Sequence, residues 1–199
     1  MQTMMTKMKE AAIRSDLVEA ALQAYNSGLC GAFTGNFSII DREKGRVYIT
    51  PEGIPWYSLT PEQIVEIEIN RGKVLSAVEG VKPSKEAYLH NLIYKEKEGV
   101  NAVVHTHSPY ATAFAVKGVK VPSITTESLY YGKDMGLAEF YPTGSILLAQ
   151  EVSKKIGDNS ICLMKNHGVL SAGKDLSEAF RNAMFVEANA KTAILSKLI

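Results

Sequence analysis

Two histidines separated by one residue, at the end of an apolar run, most constrain how this chain can fold. Residues 102–104 are Ala-Val-Val, a short run that predicts a buried strand, and His105 and His107 follow it. Residues two apart on a strand point to the same face, so both imidazoles would lie on one side of a sheet. Ser108 and Pro109 then predict the N-cap and first position of a helix. The histidines therefore stand where a strand ends and a helix begins.

The two imidazoles are either half of a metal site or ordinary polar residues at a strand end. Neutral ring nitrogens are favoured ligands of Zn²⁺, at about 2.0–2.1 Å. The chain has four histidines, and a third, His167, again follows an apolar run, residues 161–164. Gly168 after it predicts a tight turn that would aim this ring back at the first pair. Three histidines leave one coordination position open, which is typical of a catalytic zinc site.

Length, charge and cysteine content narrow the class of protein. At 199 residues, with 46% hydrophobic and 22% charged residues, the chain is most simply one globular domain spanning residues 1–199. A formal net charge of +1 gives no reason to expect a nucleic-acid or membrane partner. Residues 1–9 lack the apolar core of a signal peptide, and Cys30 and Cys162 fit reduced thiols better than a disulfide framework. We therefore expect a cytoplasmic protein.

The first half of the chain predicts a helix and then an antiparallel meander. The helix ends near residue 27 and leads into a glycine-rich loop around Gly35 and Asn36. Such a loop is either a simple turn or a place where backbone N–H groups approach an anion. Alternation along the third strand predicts that Glu66 and Glu68 lie on its solvated face. The predicted strands are residues 37–41, 46–50, 64–69 and 74–78.

The helix that follows the meander carries three residues of interest. Ser84 is predicted to cap it, and the unpaired N–H groups of its first turn favour a phosphate. Glu86, in that turn, is either routine helix-end decoration or a working carboxylate. His90, one turn later, is either a hydrogen-bonded partner of Glu86 or a histidine packed against the sheet.

The second half of the chain alternates strands with helices. A strand is predicted at residues 119–125, and residues 126–141 are predicted to be irregular. A helix from Ser145 to Ile156 and a terminal helix capped by Asp175 complete the chain. The order of elements predicts an α/β or α+β domain, in which helices flank a central mixed, largely antiparallel sheet.

Five short segments stand out along the chain: Thr-Gly-Asn-Phe-Ser at 34–38, Ile-Thr-Pro-Glu-Gly at 49–53, Pro-Ser-Lys-Glu at 83–86, Ala-Val-Val-His-Thr-His-Ser at 102–108 and Asn-His-Gly at 166–168. Taken together and in this order, they resemble the class II aldolase/adducin family. The resemblance implies the α/β fold of that family, with three α/β/α layers around a central mixed, largely antiparallel sheet.

The resemblance implies roles for individual residues. Glu86 would be the catalytic acid/base beside a Zn²⁺ ion, with Mn²⁺, Co²⁺ or Fe²⁺ as alternative metals. The family is usually homotetrameric with active sites at subunit interfaces, and this assembly is implied here. The implied metal ligands are His105, His107 and His167, and the implied phosphate and substrate residues are Gly35, Asn36, Gly53, Ser84 and Lys85.

The implied activity is retro-aldol cleavage of a small phosphorylated ketose, such as L-fuculose 1-phosphate, into dihydroxyacetone phosphate and an aldehyde. Pro-Ser-Lys-Glu at 83–86 instead resembles the family's 3-oxo-tetronate-4-phosphate decarboxylases, because Lys85 suits a sugar-acid phosphate. A sugar-phosphate 4-epimerase is a further alternative on the same site. A non-enzymatic module like the adducin head is the last alternative, and the intact histidines and Glu86 argue against it.

Two aromatic features of the sequence stay open. The tyrosine that aldolases of this family supply across the subunit interface aligns with Thr126, so Tyr130 or Tyr131 is either its substitute or a core residue. Trp56, the only tryptophan, either lines the site or only fastens its loop.

Overall fold

A computed structural model describes residues 2–130 and 134–199, in which eight strands form one sheet flanked by six helices. None of these helices is long and apolar enough to cross a bilayer. The strands are β1 (Asn36–Asp41), β2 (Arg46–Ile49), β3 (Val65–Glu68), β4 (Val74–Ser76), β5 (Ala102–Thr106), β6 (Gly136–Ala138), β7 (Ile161–Met164) and β8 (Gly168–Gly173). The helices are α1 (Gln2–Asn26), α2 (Ala87–Glu96), α3 (Pro109–Lys117), α4 (Thr126–Tyr130), α5 (Ile146–Ile156) and α6 (Leu176–Leu195).

The strand order explains how distant segments meet in the middle of the sheet. It runs β4-β3-β2-β1-β5-β8-β7-β6, and within the described chain only β6 and β7 pair in parallel. Strands β1 to β4 are the predicted antiparallel meander, and the expected mixed, largely antiparallel sheet is confirmed. Strand β5 lies between β1 and β8, with Asn36 opposite His105 and Val169 opposite Thr106. The two histidine-bearing segments are therefore neighbours in the sheet.

Helices cover both faces of the sheet, which gives the three predicted layers. On β5, Val103 points into the core cluster formed with α2 and α5, and it packs there with Ile93 and Val152. Its neighbours Ala102 and Val104 point to the opposite face, which α1 and α6 cover. Burial of an aliphatic side chain of this size contributes about 1.5–3 kcal/mol. His105 follows Val104, so the pleat sends its side chain to the face covered by α2.

The prediction that Glu66 lies on a solvated strand face is wrong. Only 6% of its surface is exposed, because α1 covers this face of the meander. Its carboxylate lies 2.6 Å from Arg46 Nη1 and 3.7 Å from Arg14 Nη2. A buried charge is tolerated when such partners compensate its lost hydration. The alternating pattern predicts the strand correctly, but on the face predicted to be solvated Glu66 contacts two arginines.

The strand predicted at residues 119–125 is also wrong, since this segment joins α3 to α4 without pairing in the sheet. Val121 is buried against α3 and α6, and Asn189 Nδ2 donates a hydrogen bond to Pro122 O at 2.6 Å. Proline has no N–H to give to a strand ladder, so packing on the helices replaces pairing. Helix α4 and strand β6 lie within the segment predicted to be irregular.

Candidate metal centre and substrate cavity

Three imidazoles converge at the ends of β5 and β7. His105 is the fourth residue of β5, His107 follows its end, and His167 lies in the turn between β7 and β8. One ring nitrogen from each lies within 4.8 Å of the others. The Nε2 atoms of His105 and His107 are 3.1 Å apart. The sheet order thus brings together the three residues that the sequence singled out.

The turn that carries His167 is tight, as predicted. Asn166 has a positive φ of 55°, and the His167 N–H donates to Met164 O at 3.1 Å. Gly168 then runs against β5: a Cβ atom there would lie 2.4 Å from Thr106 O. It would also lie 3.1 Å from Cε1 of His105. Only glycine permits this approach of the two strands beside the rings.

Gly35 meets a similar requirement on the other side of β5. Its φ is +87°, a conformation that side chains rarely adopt, and an added Cβ would lie 2.6 Å from His105 O. The glycine-rich loop is therefore held directly against the histidine strand. A bare backbone at this position is a steric requirement of the site.

Hydrogen bonding and burial fix the protonation of the rings. His105 Nδ1 donates to Val169 O at 2.9 Å, so its Nε2 lone pair points toward the other histidines. Burial holds the pKa of His105 well below its usual value and also lowers the pKa of His107. Both rings are therefore neutral near pH 7, the form in which imidazole binds a metal.

Glu86 completes the cluster. It is buried, with Oε2 3.2 Å from His105 Nε2 and Oε1 3.4 Å from His167 Nε2. Within the described residues, neither Glu86 Oε1 nor His167 Nδ1 has a hydrogen-bond partner. Lone pairs of neutral imidazoles and a carboxylate repel one another at these distances unless a cation lies among them. The donor set therefore fits a divalent metal ion.

The helix that carries Glu86 begins later than predicted. Its N-cap position is Glu86 and its first residue is Ala87, so Ser84 is not the cap. The Ser84 hydroxyl instead accepts a hydrogen bond from the Glu86 N–H at 3.2 Å. The Ser84 N–H in turn donates to Thr50 O at 3.2 Å, so hydrogen bonds hold the segment that precedes the helix.

A cavity of about 840 Å³ opens over the histidines and Glu86. Lys85 at its rim is 73% exposed, and its Nζ lies 4.0 Å from Glu52 Oε2. The cavity is also lined by all the residues that the sequence predicts to bind phosphate and substrate: Gly35, Asn36, Gly53, Ser84 and Lys85.

Sequence reasoning missed several residues of the cavity wall, among them Lys82 and Thr143, and left Trp56 undecided. Lys82 lines the cavity because the Glu52 N–H donates to Lys82 O, and this hydrogen bond holds the two loops together. The sequence signal that could have identified Lys82 was its position two residues before Ser84. Thr143 lies in a segment without any periodic pattern, so no signal marked it. Trp56 both lines the cavity and fastens the loop, since its Nε1 donates to Thr34 O at 3.0 Å.

Of the two tyrosines for which the sequence left a core role open, the structure describes only Tyr130. Tyr130 is 78% exposed, so a core role for it is wrong, and it does not line the cavity. Tyr131 lies outside the described residues.

Replacing Gly168 with Ala is expected to lower metal affinity and thermal stability together. The added methyl group would meet Thr106 O and both neighbouring rings, so β8 or the rings must shift. Metal content after dialysis and the melting temperature measure the effect. Gly99→Ala is the matched control, because a Cβ there meets nothing within 4 Å. Equal metal content and melting temperature in the two variants would contradict the steric account.

His90 makes stability depend on pH in the mildly acidic range. It is fully buried, and burial lowers its pKa from 6.5 to about 3. Below pH 6.5 the His90 ring binds a proton in the unfolded chain but not in the folded protein, so the free energy of unfolding falls as the pH falls. Relative to His90→Gln, the wild type should lose about 2 kcal/mol of unfolding free energy between pH 7 and pH 5. Urea unfolding at the two pH values tests this; parallel losses in both proteins would refute it.

Known proteins resemble this chain over most of its length. The family model described as Class II Aldolase and Adducin N-terminal domain matches residues 15–194. An L-fuculose phosphate aldolase of Methanococcus maripaludis is 40% identical over 146 residues, or 73% of this chain and 76% of the relative. A 5-deoxy-D-ribulose 1-phosphate aldolase of Bacillus thuringiensis is 32% identical over 174 residues, or 87% and 80%. A solved L-fuculose 1-phosphate aldolase superposes with a TM-score of 0.88 at 31% identity, covering 94% of this chain and 86% of that one.

Proposed function

The chain belongs to the class II aldolase and adducin family, and from that premise we propose that it is a metal-dependent lyase that cleaves a phosphorylated ketose by retro-aldol chemistry. The observation that carries the proposal is the convergence of three imidazoles and the Glu86 carboxylate on the floor of one cavity. An interaction module has no need of such a cluster, so this geometry favours the enzyme over an adducin-like role.

The substrate we propose is L-fuculose 1-phosphate or a similar ketose 1-phosphate. The names of two relatives, an L-fuculose phosphate aldolase and a 5-deoxy-D-ribulose 1-phosphate aldolase, support this class. Cleavage would yield dihydroxyacetone phosphate and an aldehyde. Two lysines, Lys82 and Lys85, at the cavity wall supply positive charge for the phosphate, beside the polar groups of Ser84 and the backbone at Gly35 and Gly53.

His105, His107 and His167 would hold the metal, which we propose to be Zn²⁺, with Mn²⁺, Co²⁺ or Fe²⁺ as alternatives. Bound there, the ion would act as a Lewis acid that stabilises the negative charge developing on the substrate when the carbon–carbon bond breaks. The hydrogen bond from His105 Nδ1 to Val169 O keeps this ring oriented for its ligand role.

Glu86 would move the proton at the hydroxymethyl carbon of the substrate. Its Oε2 accepts a hydrogen bond from Asn36 Nδ2 at 3.1 Å, which fixes the carboxylate. Its Oε1 has no hydrogen-bond partner among the described residues, so this oxygen is available to take up and return a proton. Burial of the carboxylate excludes bulk water from that exchange.

Decarboxylation of a 3-oxo sugar-acid phosphate is the second candidate. It is favoured by Lys82 and Lys85 together, because two cations could hold a carboxylate as well as a phosphate. Glu52 opposes it, since a carboxylate 4.0 Å from Lys85 offsets part of that positive charge. Epimerisation at the same site would need cleavage followed by re-addition of the aldehyde in the opposite orientation.

A substrate panel on the metal-loaded protein tests these candidates. The panel contains L-fuculose 1-phosphate, 5-deoxy-D-ribulose 1-phosphate, ribulose 5-phosphate and a 3-oxo-tetronate 4-phosphate. We expect about one metal ion per chain, from three histidine ligands, and release of dihydroxyacetone phosphate from a ketose 1-phosphate. Release of carbon dioxide from the 3-oxo-tetronate 4-phosphate would instead identify the protein as a decarboxylase. A protein that binds no metal and turns over none of these substrates would contradict the proposal.

We also propose a cytoplasmic homotetramer with active sites at the subunit interfaces. Exposed apolar side chains on α4 and α5, including Leu129, Tyr130 and Leu147, support an assembly that covers them. Cys30 and Cys162 are free and buried, and burial raises the pKa of both thiols to about 12, which suits unreactive cysteines. Light scattering on the purified protein gives the assembly mass, and a monomer would remove the interface proposal.

A further inference from the structure

A buried chain of hydrogen bonds leads from the core of the protein to Glu86. Asn36 and Ser38 are two residues apart on β1, so their side chains point to the same face of the sheet, toward α2. His90 on α2 lies between them: its Nε2 is 2.6 Å from Asn36 Oδ1, and its Nδ1 is 2.6 Å from Ser38 Oγ. Asn36 Nδ2 then donates to Glu86 Oε2 at 3.1 Å. The Tyr94 hydroxyl closes the far end, 2.7 Å from Ser38 Oγ.

The partners along this chain fix where each hydrogen must be. An ionised carboxylate can only accept, so Asn36 turns its N–H toward Glu86 and its carbonyl oxygen toward His90. That oxygen also only accepts, so His90 Nε2 must carry the ring hydrogen. His90 Nδ1 is then an acceptor and takes the Ser38 hydroxyl hydrogen. One neutral tautomer of His90 therefore satisfies the three links from Ser38 to Glu86, while the Tyr94 hydroxyl donates its hydrogen to Ser38 O at 2.9 Å.

Loss of the donor at His90 Nε2 would release the amide of Asn36. A side-chain amide presents its two ends with nearly equal shape, so only its hydrogen bonds select the orientation. Turned the other way, the amide would place its oxygen against Glu86 Oε2, where two acceptors repel. The carboxylate would then leave the position in which Oε1 reaches the substrate, and small misplacements of a reacting group are costly.

We propose that His90 is a positioning residue for the reaction: its neutral ring orients the Asn36 amide, which in turn holds Glu86 Oε2 and leaves Oε1 to exchange the proton. This inference rests on the proposed function, because it assumes that Glu86 moves a proton. It assigns Asn36 to orienting the carboxylate, beyond any contact with phosphate. It also resolves the two sequence interpretations of His90, since the ring is a packed histidine that acts on Glu86 through one intermediate residue.

Two variants separate positioning from packing. His90→Leu fills the space without a donor, whereas His90→Gln keeps an N–H that can reach Asn36. Loss of a residue that orients a reacting group at a metal site typically costs about 10- to 100-fold. We expect His90→Leu to lower kcat by that factor while KM and metal content stay near wild type, and His90→Gln to recover most of the loss.

Asn91→Leu is the matched control. Asn91 is the next residue of α2, is also buried, and makes its hydrogen bond to Glu68 O, outside this chain of contacts. It should lose stability but keep its kcat. Equal kcat values for His90→Leu and Asn91→Leu would overturn the proposal, as would loss of metal in proportion to loss of kcat.

A measurement that needs neither activity nor a variant decides the hydrogen positions. Nitrogen-15 NMR of the metal-free wild type should show His90 protonated at Nε2 and unprotonated at Nδ1. The opposite tautomer would overturn the proposal even if His90→Leu did not fold. Failure of the proposed function looks different: the metal-loaded wild type would cleave none of the ketose phosphates, while His90 would still show the Nε2–H tautomer.

Discussion

Replacing Glu86 with Gln is expected to lower turnover by about 10²- to 10⁴-fold, the usual contribution of a general acid–base, while bound metal stays at the wild-type level. The amide has the shape of the carboxylate but cannot take up a proton at Oε1. The three histidines contact one another independently of Glu86, so they can still hold the ion. The measurement pairs metal content with kcat on the ketose phosphate that the wild type cleaves.

Glu66→Gln is the control for that experiment. Glu66 is also a buried carboxylate, but it pairs with Arg46 on β2 and Arg14 on α1 and does not line the cavity. It should cost stability, because one charge of a buried ion pair is lost, and leave kcat within a factor of about two. Turnover close to wild type in Glu86→Gln would rule out the acid–base assignment. Loss of metal in that variant would make Glu86 a required ligand instead.

Replacing His107 with Ala is expected to abolish both metal retention and turnover. Removing a partner that only orients a ligand costs 10- to 100-fold in metal affinity, so losing one of three ligands should cost more than about 100-fold. His107 is the better choice than His105 because it follows β5 and is less buried, so its removal leaves the sheet intact. Dialysis followed by metal analysis measures the loss.

Thermal unfolding gives an independent reading of the same variant. An ion present at 100 times its dissociation constant stabilises the folded state by about 2.7 kcal/mol, so added metal should raise the melting temperature of the wild type and not of His107→Ala. Thr143→Ala, which changes the cavity wall without removing a ligand, should respond like the wild type. A metal-dependent shift in His107→Ala equal to that of the wild type would remove His107 from the ligand set.

Local patterns in the sequence determined the frame of the site. His105 and His107 were placed on one face of a strand because strand geometry has a period of two. The tight turn at His167 followed from Gly168, and the meander followed from alternation and turn residues. Each of these inferences depends on neighbours along the chain, whose contacts are set by backbone geometry alone. The resemblance to known proteins added Glu86 and the residues that we propose bind phosphate, and all of them line the same cavity.

Only the tertiary structure decided which groups meet across elements. The sequence could not show that α1 covers Glu66 and supplies Arg14, or that Pro122 lies against α6 instead of in the sheet. Nor could it decide how His90 is connected to Glu86, because the connection passes through Asn36, 50 residues earlier in the chain than Glu86. Hydrogen-bond direction, burial and charge pairing at these places depend on the packing of helices on the sheet. Periodicity predicts the face that a side chain occupies, and packing decides what that face meets.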